Sequence, residues 1–284
     1  MGDSEGYEAM LKRARAIAHE AGDIVARDFP SSSLAFIDFK GAVNPVTKTD
    51  EAAEALIRSR LEAVFPDHRI LAEEGGGDAW REPGAPIWLV DPLDGTNNFA
   101  HGFPQVGVSL ALLEDQEPVV GVVYDPLREE TFTAVLGGGA ALNGEPIHVT
   151  DVRDLADAFL GTGFPYDRRT APDNNVQRLD HFLRRSQGVR RAGAAVLDLS
   201  YVACGRFDGF WEIRLHPWDV AAGVLIVREA GGRVTDFQGG PDCVSGRRIV
   251  ASNGHIHRHM LRVIEEGDAA PLPEPTDASS TGAN

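Results

Sequence analysis

The chain has 284 residues, 43% of them hydrophobic and 25% charged, with a formal net charge of −16 from 27 basic and 43 acidic side chains. That field repels nucleic acid and anionic membrane surfaces, so neither is an expected partner. No apolar run approaches the roughly 20 residues that span a bilayer. The stretch MGDSEGYEAM lacks the basic-then-apolar order of a secretory leader, and the two cysteines, Cys204 and Cys243, offer neither metal-ligand spacing nor a disulfide framework. The expected setting is the cytoplasm.

In chain order, apolar residues recur at three- and four-residue spacing over 7–28 (Met10, Ala14, Ile17, Ala21, Ile24), which predicts an amphipathic helix. A second helix is predicted from Thr49 to Val64, ending at Pro66. RILAEE and IWLVD follow as short apolar strands that each end in acid. From 106 the period changes: VGVSLALL, PVVGVVYD and ETFTAV read as an antiparallel meander, and GGGAALNGEPI as continuing turns. Beyond 158 the texture alternates again. AFLGTGFP reads as strand and turn, and NNVQRLDHFLRR and AAVLDLSYVACG as helices. Next come strand FDGFWEI, helix WDVAAGVLIVREAGG, strands RVTDF and RRIVASN, and a last helix near 256–266. The expected organisation is an α+β lobe over 1–150, an α/β lobe over 151–268 that carries Asp219, and a polar, Pro-rich disordered tail over 269–284.

The tripeptide Asp-Pro-Leu occurs twice, at 91–93 and at 125–127. In the first copy Asp91 ends a strand, and Asp94 follows just before Gly95 and Thr96. Such a junction can turn two carboxylates and the Leu93 carbonyl towards one point, the oxygen donors that a hard cation such as Mg²⁺ takes. A helix starting near Thr96 would add outward amides for a phosphate. The second copy lies between meander strands and reads as a Pro-containing β-turn. By itself the first copy is also a helix-capping turn. Two further junctions accompany it: Glu73 and Glu74 at the end of ILAEE, and Asp219 beside Trp218 in HPWDVAAG. Strand-end solvation and helix capping are their plainer readings, and a packed or solvent-facing imidazole is the plainer reading of His101 and His216. In TKTD, Thr47 and Asp50 fit a capping box.

With these segments in place, the chain resembles the inositol monophosphatase family of Mg²⁺-dependent sugar-phosphate phosphatases. The segments that carry the likeness are NPVTKTDEAAEALI, ILAEEGG, WLVDPLDGTNNFAHGFP, VGVVYDP, GTGFP, AGAAVLDLSYVACGRFDGFWE, WDVAAGVLIVREAGG and the final ASN. The resemblance implies an α/β fold, a layered αβαβα sandwich with mixed sheets, usually a homodimer. It implies that Glu73, Asp91 and the Leu93 carbonyl ligate one metal, and Asp91, Asp94 and Asp219 a second, with Glu73 also near a weaker third. Mg²⁺ is the implied ion and Mn²⁺ a substitute. Thr96, hydrogen-bonded to Asp50, would orient the attacking water, and the Gly95 and Thr96 amides would hold phosphate. Gly193, Ala194, Ala195 and Glu212 match positions facing the sugar or polyol, with inositol 1-phosphate the favoured substrate and Li⁺ an inhibitor. Asn97 stands where many relatives carry Thr, and FPYDRR replaces other loops on the substrate side, which leaves the substrate open.

Other readings remain at this level. A phosphatase that forms an aspartyl-phosphate places one residue between its two acids, where this chain has Pro92 and Leu93. Relatives that cleave 3′-phosphorylated adenosine nucleotides commonly carry Lys in place of Asn97. Histidinol phosphate and fructose 1,6-bisphosphate are substrates of sister enzymes. A non-catalytic interaction protein on the same fold tends to lose a ligand, and none of Glu73, Asp91, Asp94, Thr96 or Asp219 is missing. A Ca²⁺ module would gather its acids in one contiguous loop.

Overall fold

The computed structural model describes residues 4–29, 38–39, 45–46, 48–73 and 79–270. Its first part runs α1 (Ser4–Asp28), β1 (Asp38–Phe39), β2 (Pro45–Val46), α2 (Lys48–Val64), β3 (Arg69–Ala72), β4 (Ile87–Asp94), α3 (Thr96–Ala100), β5 (Gly107–Glu114), β6 (Glu117–Asp125), β7 (Glu130–Val135), β8 (Gly139–Leu142) and β9 (Glu145–Pro146). It continues through β10 (Phe159–Thr162), α4 (Val176–Leu183), β11 (Gly188–Arg190), α5 (Ala195–Ala203), β12 (Gly209–Ile213), α6 (Pro217–Glu229), β13 (Arg233–Thr235), β14 (Arg248–Ser252) and α7 (His257–Glu266). The predicted elements are present within a residue or two at most ends. GGGAALNGEPI differs: it forms β8 and the edge strand β9, paired antiparallel, where turns were expected. The short strand β11 was not anticipated. The suggested cap residue Thr47 and the neighbouring acid Glu74 lie outside the described residues, as does the segment 271–284.

A seven-stranded sheet runs β3-β4-β5-β6-β7-β8-β9, and a five-stranded sheet runs β11-β10-β12-β14-β13. In the first, β3 and β4 are parallel and the remaining pairs antiparallel. In the second, β10 pairs parallel with β11 and β12, while β14 lies antiparallel to β12 and β13. Both sheets are mixed.

Alternation along the strands sets the layers. On β4, Trp88 and Val90 pack with Ala14, Ala18, Ile57 and Leu61 of α1 and α2. Ile87 and Leu89 point the other way, into a core with Leu197 and Leu199 of α5 and Val224 and Ile226 of α6. The second sheet repeats the device. Phe210, Ile249 and Ala251 share the α5/α6 core, whereas Trp211, Ile213 and Val250 pack with Phe182 of α4 and Met260 and Val263 of α7. The order is therefore helices, sheet, helices, sheet, helices. The sequence of α5 and α6 is apolar almost all round because these two helices lie between two sheets.

A buried histidine gives the fold a pH dependence. His257, 1% exposed, hydrogen-bonds through its two ring nitrogens to Thr235 Oγ1 and Ser252 Oγ, each at 2.9 Å. Burial, and then the charge of Arg233, pull its pKa from 6.5 down to about 4. The unfolded chain thus binds the proton more readily, so this stabilisation is complete above pH 6.5 and is lost as pH falls towards 4. Buried carboxyls such as Asp94, raised to about 6, titrate with the opposite sign over this range, so in paired denaturant series the parental chain should lose about 3 kcal/mol relative to His257→Gln as pH falls from 6.5 to 4.

Candidate active site

Residues remote in sequence meet in a cleft of about 130 Å³ lined by Glu73, Asp91, Leu93, Asp94, Gly95, Thr96, Glu212 and Asp219. Strand geometry explains how the acids come together. Ala72 of β3 is opposite Val90 of β4 in a parallel pair, so Glu73 and Asp91, the next residues, leave the sheet side by side. Asp91 pairs with Ser109 and Asp94 with Gly107, so three steps on β4 face two on β5. Side chains three apart on a regular strand point to opposite faces, and the one-residue bulge returns Asp94 to the side of Asp91.

The two Asp-Pro-Leu copies share a turn and differ in what closes it. Asp91 Oδ1 accepts from the Leu93 amide at 3.0 Å, as Asp125 Oδ1 accepts from the Leu127 and Arg128 amides at 3.0 Å each. Asp125 is also paired with Arg128 Nη1 at 2.7 Å, which satisfies its charge. Asp91 instead faces the other cleft acids.

Gly95 makes the turn after Asp94 at φ 87°, and a Cβ there would lie 2.6 Å from the Gln105 carbonyl oxygen, so no other residue fits without displacing backbone. Thr96 opens the five-residue helix α3, and its hydroxyl lies 3.2 Å from Asp50 Oδ1 and 3.0 Å from the Leu93 carbonyl. Asp50 is 3% exposed, does not line the cleft and meets it through Thr96. Asp94 does cap a helix, but a distant one. Its Oδ2 accepts from the Val196 amide at 2.8 Å, at the start of α5. Asp219 is the third residue of α6, not its cap, and its Oδ2 accepts from the His216 amide at 2.8 Å.

The cleft carries a strong negative field. Burial pushes the Asp91 carboxyl well above the usual range, and the charges of Asp94, Glu73 and Asp219 push further. Burial raises Asp94 to about 6, against the pull of the Val196 and Gly95 amides and Arg191. Asp219 is raised by burial and then by Asp94. Carboxylates crowded in this way are hard oxygen donors short of positive charge, and they fit a hard divalent cation such as Mg²⁺ or Mn²⁺. Their arrangement is open. Among the described residues, the tight group of three candidate ligand atoms, within 4.8 Å of one another, is Asp180, His181 and Asp268, which does not line this cleft.

On the opposite wall Glu212 of β12 is 7% exposed. A Cβ on Gly163 would sit 2.1 Å from a Glu212 carboxylate oxygen, so that glycine leaves room for the acid. Gly193 and Ala195 line the cleft, whereas Ala194 is 0% exposed and is not part of the wall. Sequence reasoning passed over Arg191, Tyr166, Arg214 and Asp198. The first three line the cleft. Asp198 is a lone acid in the apolar helix α5, 1% exposed, its Oδ1 without a hydrogen-bond partner, and its charge bears on Glu212. That single acid among apolar residues was the available signal. His216 also lines the cleft, stacked on Trp218 with ring centroids 4.7 Å apart. His101 is solvent-exposed and is not part of the wall.

The family model for the inositol monophosphatase family matches residues 7–269. The chain belongs to that family. An inositol-1-monophosphatase of Synechocystis is 47% identical over 219 residues, 77% of this chain and 76% of that protein. The Nus factor SuhB of Pseudomonas aeruginosa is 42% identical over 266 residues, 91% of this chain and 96% of that protein. The solved inositol monophosphatase of Anabaena superposes with a TM-score of 0.82 at 42% identity, covering 92% of this chain and 96% of that one. As a member of the inositol monophosphatase family the chain is a metal-dependent phosphatase that hydrolyses phosphomonoesters, and a phosphorylated sugar or polyol is its class of substrate.

Proposed function

We propose that the protein is a Mg²⁺-dependent phosphatase whose preferred substrate is inositol 1-phosphate, acting as a homodimer. The observation that carries this reading is the convergence of Glu73, Asp91, Asp94 and Asp219 with Thr96 and Glu212 on one cleft. In this reading Glu73, Asp91, Asp94, Asp219 and the Leu93 carbonyl hold two to three Mg²⁺ ions. When bound, such cations lower the pKa of adjacent water and neutralise charge building on the attacking and leaving oxygens. Positive charge there also reconciles an anionic substrate with a chain of net charge −16.

The chain's own groups do the rest. Thr96 Oγ1 accepts from the attacking water and passes its own proton towards Asp50. The Gly95 and Thr96 amides hold the phosphate, while Gly193 and Ala195 border the polyol. Glu212 accepts hydrogen bonds from ring hydroxyls, which is the basis for favouring a polyhydroxylated ring. Relatives named Nus factor SuhB match this chain about as closely as relatives named inositol-1-monophosphatase, so those names do not choose the substrate.

The test is a comparison of kcat/KM for inositol 1-phosphate, histidinol phosphate, fructose 1,6-bisphosphate and an aryl phosphate. Inositol 1-phosphate is expected to lead. Glu212→Ala should cost it up to about tenfold, from about 0.5–1.5 kcal/mol for a hydrogen bond lost, while sparing the aryl ester. Equal losses on both would make Glu212 structural.

A further inference from the structure

The loop between β10 and α4 is fastened at its base and hangs over the acids. Asn175, 1% exposed, donates to the Gly163 carbonyl at 2.7 Å and to Thr162 Oγ1 at 3.1 Å, and its Oδ1 accepts from Trp211 Nε1 at 3.0 Å. One side chain therefore ties both ends of the segment 164–174. The loop's outer part is held by charge. Asp167 pairs with Arg214, and Asp173 pairs with Arg178 and Arg248. Arg214 stands at φ 62° in the connection between β12 and α6, the connection that leads to Asp219, and it lines the cleft itself. The Asp167–Arg214 pair thus joins the loop to the segment that carries one of the acids.

Tyr166 is the residue so placed. It lines the cleft with Phe164 and Pro165, and its ring is 48% exposed at the mouth. It borders the same cleft as Glu73, Asp94, Gly95 and Thr96, and its phenol is a donor at neutral pH. A phenol O–H held at the mouth of this cleft, beside the Gly95 and Thr96 turn, is placed to donate to a ligand with anionic oxygens.

We propose that Tyr166 is a substrate-binding residue whose phenolic O–H donates to a phosphate oxygen of the bound ester, and that the Asp167–Arg214 pair is the strap that positions it. The proposal rests on the phosphatase reading for its ligand and on loop geometry for its residues. Because Tyr166 would hold the phosphate, which every substrate shares, its removal should act alike on all esters, in contrast to Glu212.

The test uses the full-length chain with saturating Mg²⁺ and inorganic phosphate as the calorimetric probe. Tyr166→Phe keeps the ring and removes only the donor, and it should weaken phosphate binding about tenfold or more. The kcat/KM for inositol 1-phosphate and for an aryl phosphate should fall by that same factor, mostly through KM. Asp167→Asn should weaken binding in the same direction, and the double variant should lose less than the two single losses combined, because the strap acts in large part through Tyr166. Phosphate binding unchanged in Tyr166→Phe would overturn the assignment, as would a parental chain that binds no phosphate. Additive losses in the double variant would overturn the strap. A parental chain that binds phosphate, with the expected Tyr166→Phe loss, yet hydrolyses no ester would sink the phosphatase reading and leave Tyr166 as an anion-binding residue.

Discussion

Asp91→Asn is expected to lower kcat by about a thousandfold while leaving the melting temperature of the metal-free chain unchanged or higher. The two halves of that result come from the same physics. Asp91 is 2% exposed and shares its cleft with four other acids. One oxygen takes the Leu93 amide, an interaction that the Asn oxygen can reproduce, so the turn survives. Substitution removes a buried negative charge that burial and three neighbouring carboxylates all disfavour, and in the absence of a cation this relieves the fold. Activity moves the other way. A cation's stabilisation of charge in the transition state is worth several kcal/mol, and about 4 kcal/mol corresponds to a thousandfold. A variant that melts several degrees lower but keeps the parental rate would make Asp91 a structural residue. Asp125→Asn is the internal control. There the lost charge was paired with Arg128, so stability should fall and turnover should not.

Asp50→Asn separates two roles that the sequence could not. If Asp50 only secures the start of α2, the cost is about 0.5–2 kcal/mol of stability with kcat nearly unchanged. The Thr96 hydroxyl at 3.2 Å supports the other role, in which Asp50 takes up the proton that Thr96 gives when it orients water. Asn retains an oxygen to accept from Thr96 and loses the basicity. General-base roles contribute about 10²–10⁴ in rate. The expected result is a fall in kcat of at least about tenfold, with the melting temperature little altered, because part of the hydrogen-bond geometry persists. Thr96→Ala should match it, and the double variant should lose little more, since the two side chains act in series. A parental rate with a lower melting temperature would return Asp50 to the helix end.

Local signals carried much of the fold into view. Continuous apolar, β-rich runs foretold β4 to β7, because both faces of these strands feed a core and nearly every residue is buried. Glycine-rich GGGAAL hid β8, since a four-residue strand beside the sheet edge, with Ala140 its one buried residue, carries little hydrophobic pattern. Three residues at 188–190 gave no pattern for β11. At the site, the acids were legible because each ends a strand or opens a helix, where sequence marks the junction. Three things were not legible. The bulge that turns Asp94 towards Asp91 depends on pairing with β5. The cap that Asp94 provides for α5 spans 102 residues. Tyr166 and Arg191 reach the cleft from loops whose placement depends on Asn175 and on the second sheet. These are tertiary facts, and residue type alone does not encode them.

The central claim is that the acid cleft hydrolyses a phosphomonoester with the help of divalent cations. The most direct measurement is phosphate release from inositol 1-phosphate by chelator-stripped protein, before and after addition of millimolar Mg²⁺, with circular dichroism recorded in both states. The account predicts no turnover without the ion and full turnover with it, on unchanged secondary structure, because the ligands converge on a core that two sheets and three helical layers already hold. Turnover of equal rate in the stripped protein, or none after Mg²⁺ is restored, would contradict it.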